Sequence, residues 1–186
     1  MSVTRVAHRY AQALLDLSTE QNLVDKVNED MVQLSTVCKE SKEFQGMLNS
    51  PIIDVKKKLD IFEAVFGGKM EKMSIGFINL IVKNSRENLL PEIAKGFVSL
   101  YKKSKNILEV SVVSATALDA ATRETIAEKL KAKFGGTIEM TEAVDPSLIG
   151  GFVVRIGDKM IDASIAKKIN DMKKELLGGS HAIKLN

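Results

Sequence analysis

The chain has 186 residues; 45% are hydrophobic, only 5% are aromatic and none is tryptophan, so Leu, Ile, Val, Met and Ala must fill any core, a composition that leans helical. Basic residues number 27 and acidic residues 24, a net charge of +3, without the basic excess of a dedicated nucleic-acid binder. The single cysteine excludes an intramolecular disulfide, and no apolar run approaches the roughly 20 residues that cross a bilayer.

MSVTRVAHRY lacks the continuous apolar segment of a signal peptide. Membrane association is therefore expected only through a partner. The Lys clusters, Lys56–Lys58 and Lys102, Lys103 and Lys105, have acids interleaved nearby and read as solvated faces.

Up to about Lys105 the apolar period is helical. The first helix is predicted over Val3–Leu17. Val24, Val27, Met31, Leu34 and Cys38 form one stripe of a second, with Asn22 expected to cap it. Ser41 is expected to open a short helix carrying Phe44, Met47 and Leu48, stopped by Asn49-Ser50-Pro51. Asp54 is expected to cap the next, with Val55, Leu59, Phe62 and Phe66 on one side and Gly67-Gly68 at its end. A helix over about Met70–Lys83 is broken by Asn84-Ser85. The last of this region starts near Arg86–Leu90, where Pro91 is tolerated because the first amides of a helix lack intrahelical acceptors, and runs to Tyr101. The expectation for residues 1–105 is a compact six-helix bundle.

After Asn106 the period changes. Leu108, Val110 and Val112 alternate with Glu109 and Ser111 as in a half-buried strand. Asp119 can cap a helix with Ile126, Ala127, Leu130 and Phe134, ended by Gly135-Gly136. Thr137–Val144 reads as a second strand and Phe152, Val154 and Ile156 mark a third. Gly157-Asp158 reverses the chain into Met160 and Ile161. Asp162 is expected to cap a final helix striped by Ile165, Ile169, Met172 and Leu176. Residues 106–186 thus read as a small α/β domain with a mixed sheet and two helices, and the whole chain as α+β. The tail from Gly178 is expected to fray.

Two helices carry more apolar surface than one buried stripe needs. At about 100° per residue, Val6, Tyr10, Ala13 and Leu17 lie on one flank of the first helix and Ala7, Ala11, Leu14 and Leu15 on the other, together about 200° of arc. In the helix near Met70–Lys83, Met73, Phe77, Leu80 and Ile81 make one face and Ile75, Ile78 and Val82 another. Two readings stand: central helices buried on several sides, or helices of which one flank forms a groove for a foreign amphipathic helix.

Candidate chemistry fails. Gly67-Gly68-Lys69-Met70 is no phosphate loop, because Glu63 stands at the first glycine position and Met70 where Ser or Thr binds magnesium. His8 and His181 are far apart, and His8 lies opposite the apolar arc of its helix. Cys38 falls in a core stripe. Asp145, Asp158 and Asp162 have turn or cap roles. No catalytic residue, metal site or cofactor is expected.

Four segments, in order, carry a resemblance. They are Arg9-Tyr10-Ala11-Gln12-Ala13-Leu14 (RYAxAL), Asn84-Ser85-Arg86 followed by Leu89-Leu90-Pro91-Glu92-Ile93, Val113-Ser114-Ala115 followed by Leu118, and the Gly-Gly strand and IGD…IDxS hairpin within Asp145–Ser164. Together they resemble the delta subunit of F-type ATP synthase, the bacterial counterpart of the mitochondrial oligomycin-sensitivity-conferring protein. Ser85 stands where the family often has Gly, and Lys105-Asn106 replaces another frequent Gly.

The resemblance implies a non-enzymatic stator protein, peripheral to the cytoplasmic face of a bacterial inner membrane, for proton-driven ATP synthesis. The N-terminal helix of an alpha subunit would bind the first and fifth helices, for which the candidates are Val6, Tyr10, Ala13 and Leu17 with Ile75, Ile78, Asn79 and Val82. The C-terminal region of the stalk's b subunits would bind the second domain, with Ile165, Ile169, Met172 and Leu176 as candidates. The implied partners include no nucleic acid and require no direct membrane insertion. The alternative is a nucleic-acid-binding or other helical adaptor, whose mark would be steep salt dependence.

Overall fold

A computed structural model describes the backbone of residues 3–157 and 159–178, and side-chain burial for 5–157 and 159–175. The chain divides into two compact units, Met1–Ser104 and Lys105–Asn186. The fold is α+β.

The first unit contains α1 (Val3–Glu20), α2 (Val24–Glu40), α3 (Lys42–Asn49), α4 (Val55–Phe66), α5 (Lys72–Lys83), a 3-10 turn (Glu87–Leu89) and α6 (Leu90–Ser104). Helix α6 packs along both α1 and α2. Gly96 on α6 lets α1 come close, since a Cβ there would stand 3.4 Å from the Ala11 Cβ. Ala7, Ala11, Leu14, Met31, Leu34, Ile78, Ile81, Ile93 and Phe97 fill the centre. At one end Phe44 meets Phe62 and Phe66 edge-on, with centroids 5.4 and 5.9 Å away.

Two buried polar pairs fix helices that the core alone leaves free to rotate. Asp30 on α2 accepts from the Glu71 amide (3.0 Å) and from the Ser74 hydroxyl, so it caps α5 from a distant helix. Burial pushes the Asp30 carboxyl above the usual carboxylate range, against the opposing pull of those hydrogen bonds. Lys58 on α4 donates to the Ser50 carbonyl (2.8 Å) and to Glu87 Oε1, while Glu87 Oε2 is buried with no hydrogen-bond partner among the described residues.

The second unit is β1 (Ile107–Ser114), α7 (Ala120–Phe134), β2 (Thr137–Val144), β3 (Phe152–Ile156), β4 (Lys159–Asp162) and α8 (Ile165–Gly178). Strand order is β2-β1-β3-β4. β1 runs parallel to β2, with α7 as the crossover, and antiparallel to β3; β4 closes an antiparallel hairpin with β3. Val110 pairs with Ile156 and Val112 with Val154, which puts these four on one face, where Ile126 and Leu130 of α7 cover them.

Three cap expectations are corrected. Asn22 does not open α2; it sits in the left-handed region (φ 55°) and closes α1, with the Leu23 amide on the Ser18 carbonyl (2.9 Å) and its own on Thr19 (3.1 Å). Asp54 occupies the cap position of α4 but makes no side-chain cap hydrogen bond. Asp162 accepts from the Ser164 amide (2.9 Å), and it is Ser164 that caps α8, accepting from the Lys167 amide (3.2 Å). Ser41 and Asp119 do cap α3 and α7, accepting from the amides of Phe44 and Thr122. Asp158 and the tail from Gly179 lie outside the described residues.

Candidate binding surfaces

The side chains that could have suggested chemistry have structural places. Cys38 is buried, and burial pushes its thiol up to about 11, which leaves it a small apolar core group. Asp145 accepts from the Ser147 hydroxyl (2.6 Å) and amide (2.9 Å), and these bonds hold its carboxyl below the usual range. His8 is exposed. Among the described residues no three His, Cys, Asp or Glu side chains are grouped to hold a metal, and no helix is long and apolar enough to cross a membrane.

Helix α1 separates its two apolar flanks. Ala7, Ala11, Leu14 and Leu15 enter the core. Val6 and Tyr10 are only half-buried, Ala13 is exposed and Leu17 is 43% exposed. Val6, Tyr10 and Ala13 of this flank line a cleft of about 840 Å³ that also takes in Arg9, Arg86 and Leu89, while Leu17 lies beyond it. Arg86 lies over the Tyr10 ring, 5.8 Å from its centroid, and donates to the Tyr10 hydroxyl. Tyr10 of the first sequence segment and Arg86 of the second thus form one contact, which pins the Tyr10 ring on the surface.

On α5 the structure moves the exposed face. Ile78 is 2% exposed and Val82 fully buried, so neither can meet a partner; Ile75 and Asn79 are half-buried. The outward face is Met73, Gly76, Phe77 and Leu80, with Leu80 51% exposed. The physical reason is Ser74. It lies on the same side of the helix as Ile78 and Ile81, and its bond to Asp30 draws that side inward. Tyr10 meets Phe77 edge-on, with centroids 6.4 Å apart, and so links the outer flanks of α1 and α5.

Among its described side chains, 165–175, helix α8 is exposed except at half-buried Ala166. Ile169 and Met172 are 54% and 62% exposed, and Ile165 is also exposed; the Leu176 side chain lies outside the described residues. What holds the helix is its root. The Ile165 amide donates to the Gly150 carbonyl and the Ala163 amide to the Phe152 carbonyl, both at 2.9 Å. Gly151, at φ +82°, could carry no side chain, since a Cβ would lie 2.4 Å from the Ala163 carbonyl oxygen. Of the stripe read as a partner surface, the three described residues Ile165, Ile169 and Met172 are thus exposed.

Residues 6–176 match the family described as ATP synthase delta (OSCP) subunit. The ATP synthase subunit delta of Parabacteroides distasonis is 37% identical, over 95% of this chain and 98% of its own length. That of Cytophaga hutchinsonii is 33% identical, over 94% and 96%. A chain of the Toxoplasma gondii mitochondrial ATP synthase hexamer shares the fold, with a TM-score of 0.71 at 23% identity, covering 92% of this chain and 97% of that one. The family match over residues 6–176 and relatives of 33–37% identity over nearly the full length agree with the helical and mixed-sheet units described: the chain belongs to the ATP synthase delta (OSCP) subunit family.

Proposed function

We propose that the chain acts as a non-catalytic connector in the peripheral stalk of an F-type ATP synthase, with a division of labour between a six-helix N-terminal domain (1–105) and a C-terminal α/β domain (106–186). The N-terminal domain takes the amphipathic N-terminal helix of an alpha subunit. The C-terminal domain holds the C-terminal region of the stalk's b subunits through α8. The chain reaches the cytoplasmic face of a bacterial inner membrane through these partners, and keeps the catalytic head from turning with the rotor.

The observation that carries the reading is the outer flank of α1. Its apolar side chains stay half-exposed or exposed, with Tyr10 against Phe77, while the opposite flank of the same helix fills the core. The alpha-binding residues are then Val6, Tyr10, Ala13 and Leu17 with Met73, Phe77 and Leu80. Ile75 and Asn79 border them; Ile78 and Val82 support them from beneath. A stator contact has to outlast turnover, and slow dissociation follows from desolvated apolar anchors of this kind.

The test is titration of the full chain with a peptide covering the alpha N-terminus. Leu17→Asp and Leu80→Asp should each lower affinity at least about tenfold with the fold intact. Deleting residues from Ile165 onward should abolish binding of the b-type stalk's C-terminal region and leave alpha binding unchanged. Wild-type affinity in both aspartate variants rejects the groove.

A further inference from the structure

Met73, Gly76, Phe77 and Leu80 stand at positions i, i+3, i+4 and i+7 of α5, the diamond into which a side chain of a facing helix inserts. One corner of this diamond is bare. Gly76 lies in the middle of the helix and is exposed, and a Cβ on it would meet nothing within 4 Å. Glycine in a helix interior costs stability relative to alanine. Among the described residues no close neighbour offsets that cost at Gly76, whereas Gly96 is accounted for by the approach of Ala11. Gly46 on α3 is equally open, but the matching positions around it are Glu43, Met47 and Ser50, of which only Met47 is apolar and it is buried in the core.

We propose that the bare corner at Gly76 makes α5 a socket for one bulky apolar side chain of the alpha N-terminal helix, and that Gly76 thereby selects the partner. The inference rests on the groove reading above. The rim indicates the charge of the occupant. Exposed Lys72 and Lys83 border the apolar face of α5 and exposed Arg9 borders that of α1. Of the nearby acids, Glu71 is paired with Lys26, and Asp16, which accepts from neutral Gln12 and brings one negative charge to the α1 cleft, is outnumbered by these cations. The occupant is an amphipathic helix with acidic residues beside its apolar stripe.

The full chain carrying Gly76→Ala or Gly76→Leu, titrated with an alpha N-terminal peptide, tests this. Both variants should raise the Tm of the free chain, Gly76→Ala by roughly 1–4 °C. Gly76→Leu should lower affinity at least about tenfold, and Gly76→Ala by less. Shortening one bulky apolar residue of the peptide to alanine should weaken binding to the wild type and leave binding to Gly76→Leu nearly unchanged. Added salt should weaken binding to the wild type. If Gly76→Leu binds as tightly as the wild type while Leu80→Asp does not bind, the socket is wrong and the groove stands. If Gly76→Leu, Leu17→Asp and Leu80→Asp all bind as tightly as the wild type, both readings fall. A Gly76→Ala chain that is no more stable than the wild type overturns the argument that the glycine serves a partner, and salt-independent binding overturns the acidic occupant.

Discussion

The two units expose apolar surface in opposite ways. In the helical unit the exposed flanks of α1 and α5 belong to helices whose other sides fill a dense core, and Tyr10 is pinned by Arg86 and Phe77. In the α/β unit the exposed stripe belongs to α8, a helix held at its root by Gly150, Phe152 and the Ser164 cap. The turns differ too. The helical unit has Asn22, Ser85 and one glycine, Gly68, at positive φ, whereas the α/β unit has Asn106 and five glycines, Gly135, Gly136, Gly150, Gly151 and Gly157. A surface backed by a core is preorganised before binding; a lone helix is free to adapt and loses entropy when it docks.

The largest expected effect is a contrast between two aspartates. Ile78→Asp puts a charge in the core of the helical unit and should abolish its cooperative unfolding transition, seen by calorimetry or loss of near-UV signal. Ile169→Asp on α8 should leave the Tm within about 1 °C of wild type, because surface changes away from packing rarely exceed about 0.5 kcal/mol. A destabilised Ile169→Asp would show that α8 packs on the chain after all.

Next, Lys58→Ala strands the Glu87 carboxylate and should cost about 3 kcal/mol in denaturant unfolding of the helical unit. Lys58→Met with Glu87→Gln should recover most of that loss.

The units should also part on acidification. Asp119, Asp145 and Asp162 have folded pKa values lowered by hydrogen bonds from Thr122, Ser147 and Ser164, so their contribution is present above the unfolded carboxylate pKa and is lost as pH falls through the folded values. Asp30 has the opposite sign. Its folded pKa is raised, so the stability linked to its protonation is present at low pH and is lost as pH rises through that value. Below about pH 4 the α/β unit should unfold first, and Asp30→Asn should flatten the response of the helical unit. Hydrogen exchange resolved by unit checks this; simultaneous loss of protection would break the contrast.

Below the Lys58 loss in the helical unit comes Ser85→Gly, which relieves a left-handed serine (φ 54°) at the end of α5 and should stabilise that unit by about 1 kcal/mol.

Much of this contrast was legible in the sequence. The periods of Val24–Cys38 and of Leu108–Val112 identify their elements, and Thr137–Val144 emerges as β2 with the bounds its alternation predicts. Position-specific capping was less legible, because Asn suits both a helix start and the left-handed residue that ends one; the hydrogen bonds at Ser18 and Thr19 decide for Asn22. The binding face of α5 was illegible for a different reason. A helix apolar all round leaves its rotation open, and a polar Ser74 argues for an outward side. Only the buried Asp30, 44 residues away in sequence, turns Ser74 inward and with it Ile78. Gly76 was visible as a residue, but its meaning needed the empty space around it.

The central place of β1 has a mechanical consequence. A pull on α8 enters the sheet along the covalent chain into β4 and through the bonds to Gly150 and Phe152, spreads through β3 into β1, and leaves β1 along the covalent chain through Asn106 and Lys105 into α6. The ladder between β1 and β3 runs over five paired positions, from Val110↔Ile156 to Ser114↔Phe152, and β2 braces the other edge of β1. Tension directed along these strands strains the cross-strand bonds side by side in shear, whereas tension directed across them would open the bonds one after another, as in peeling.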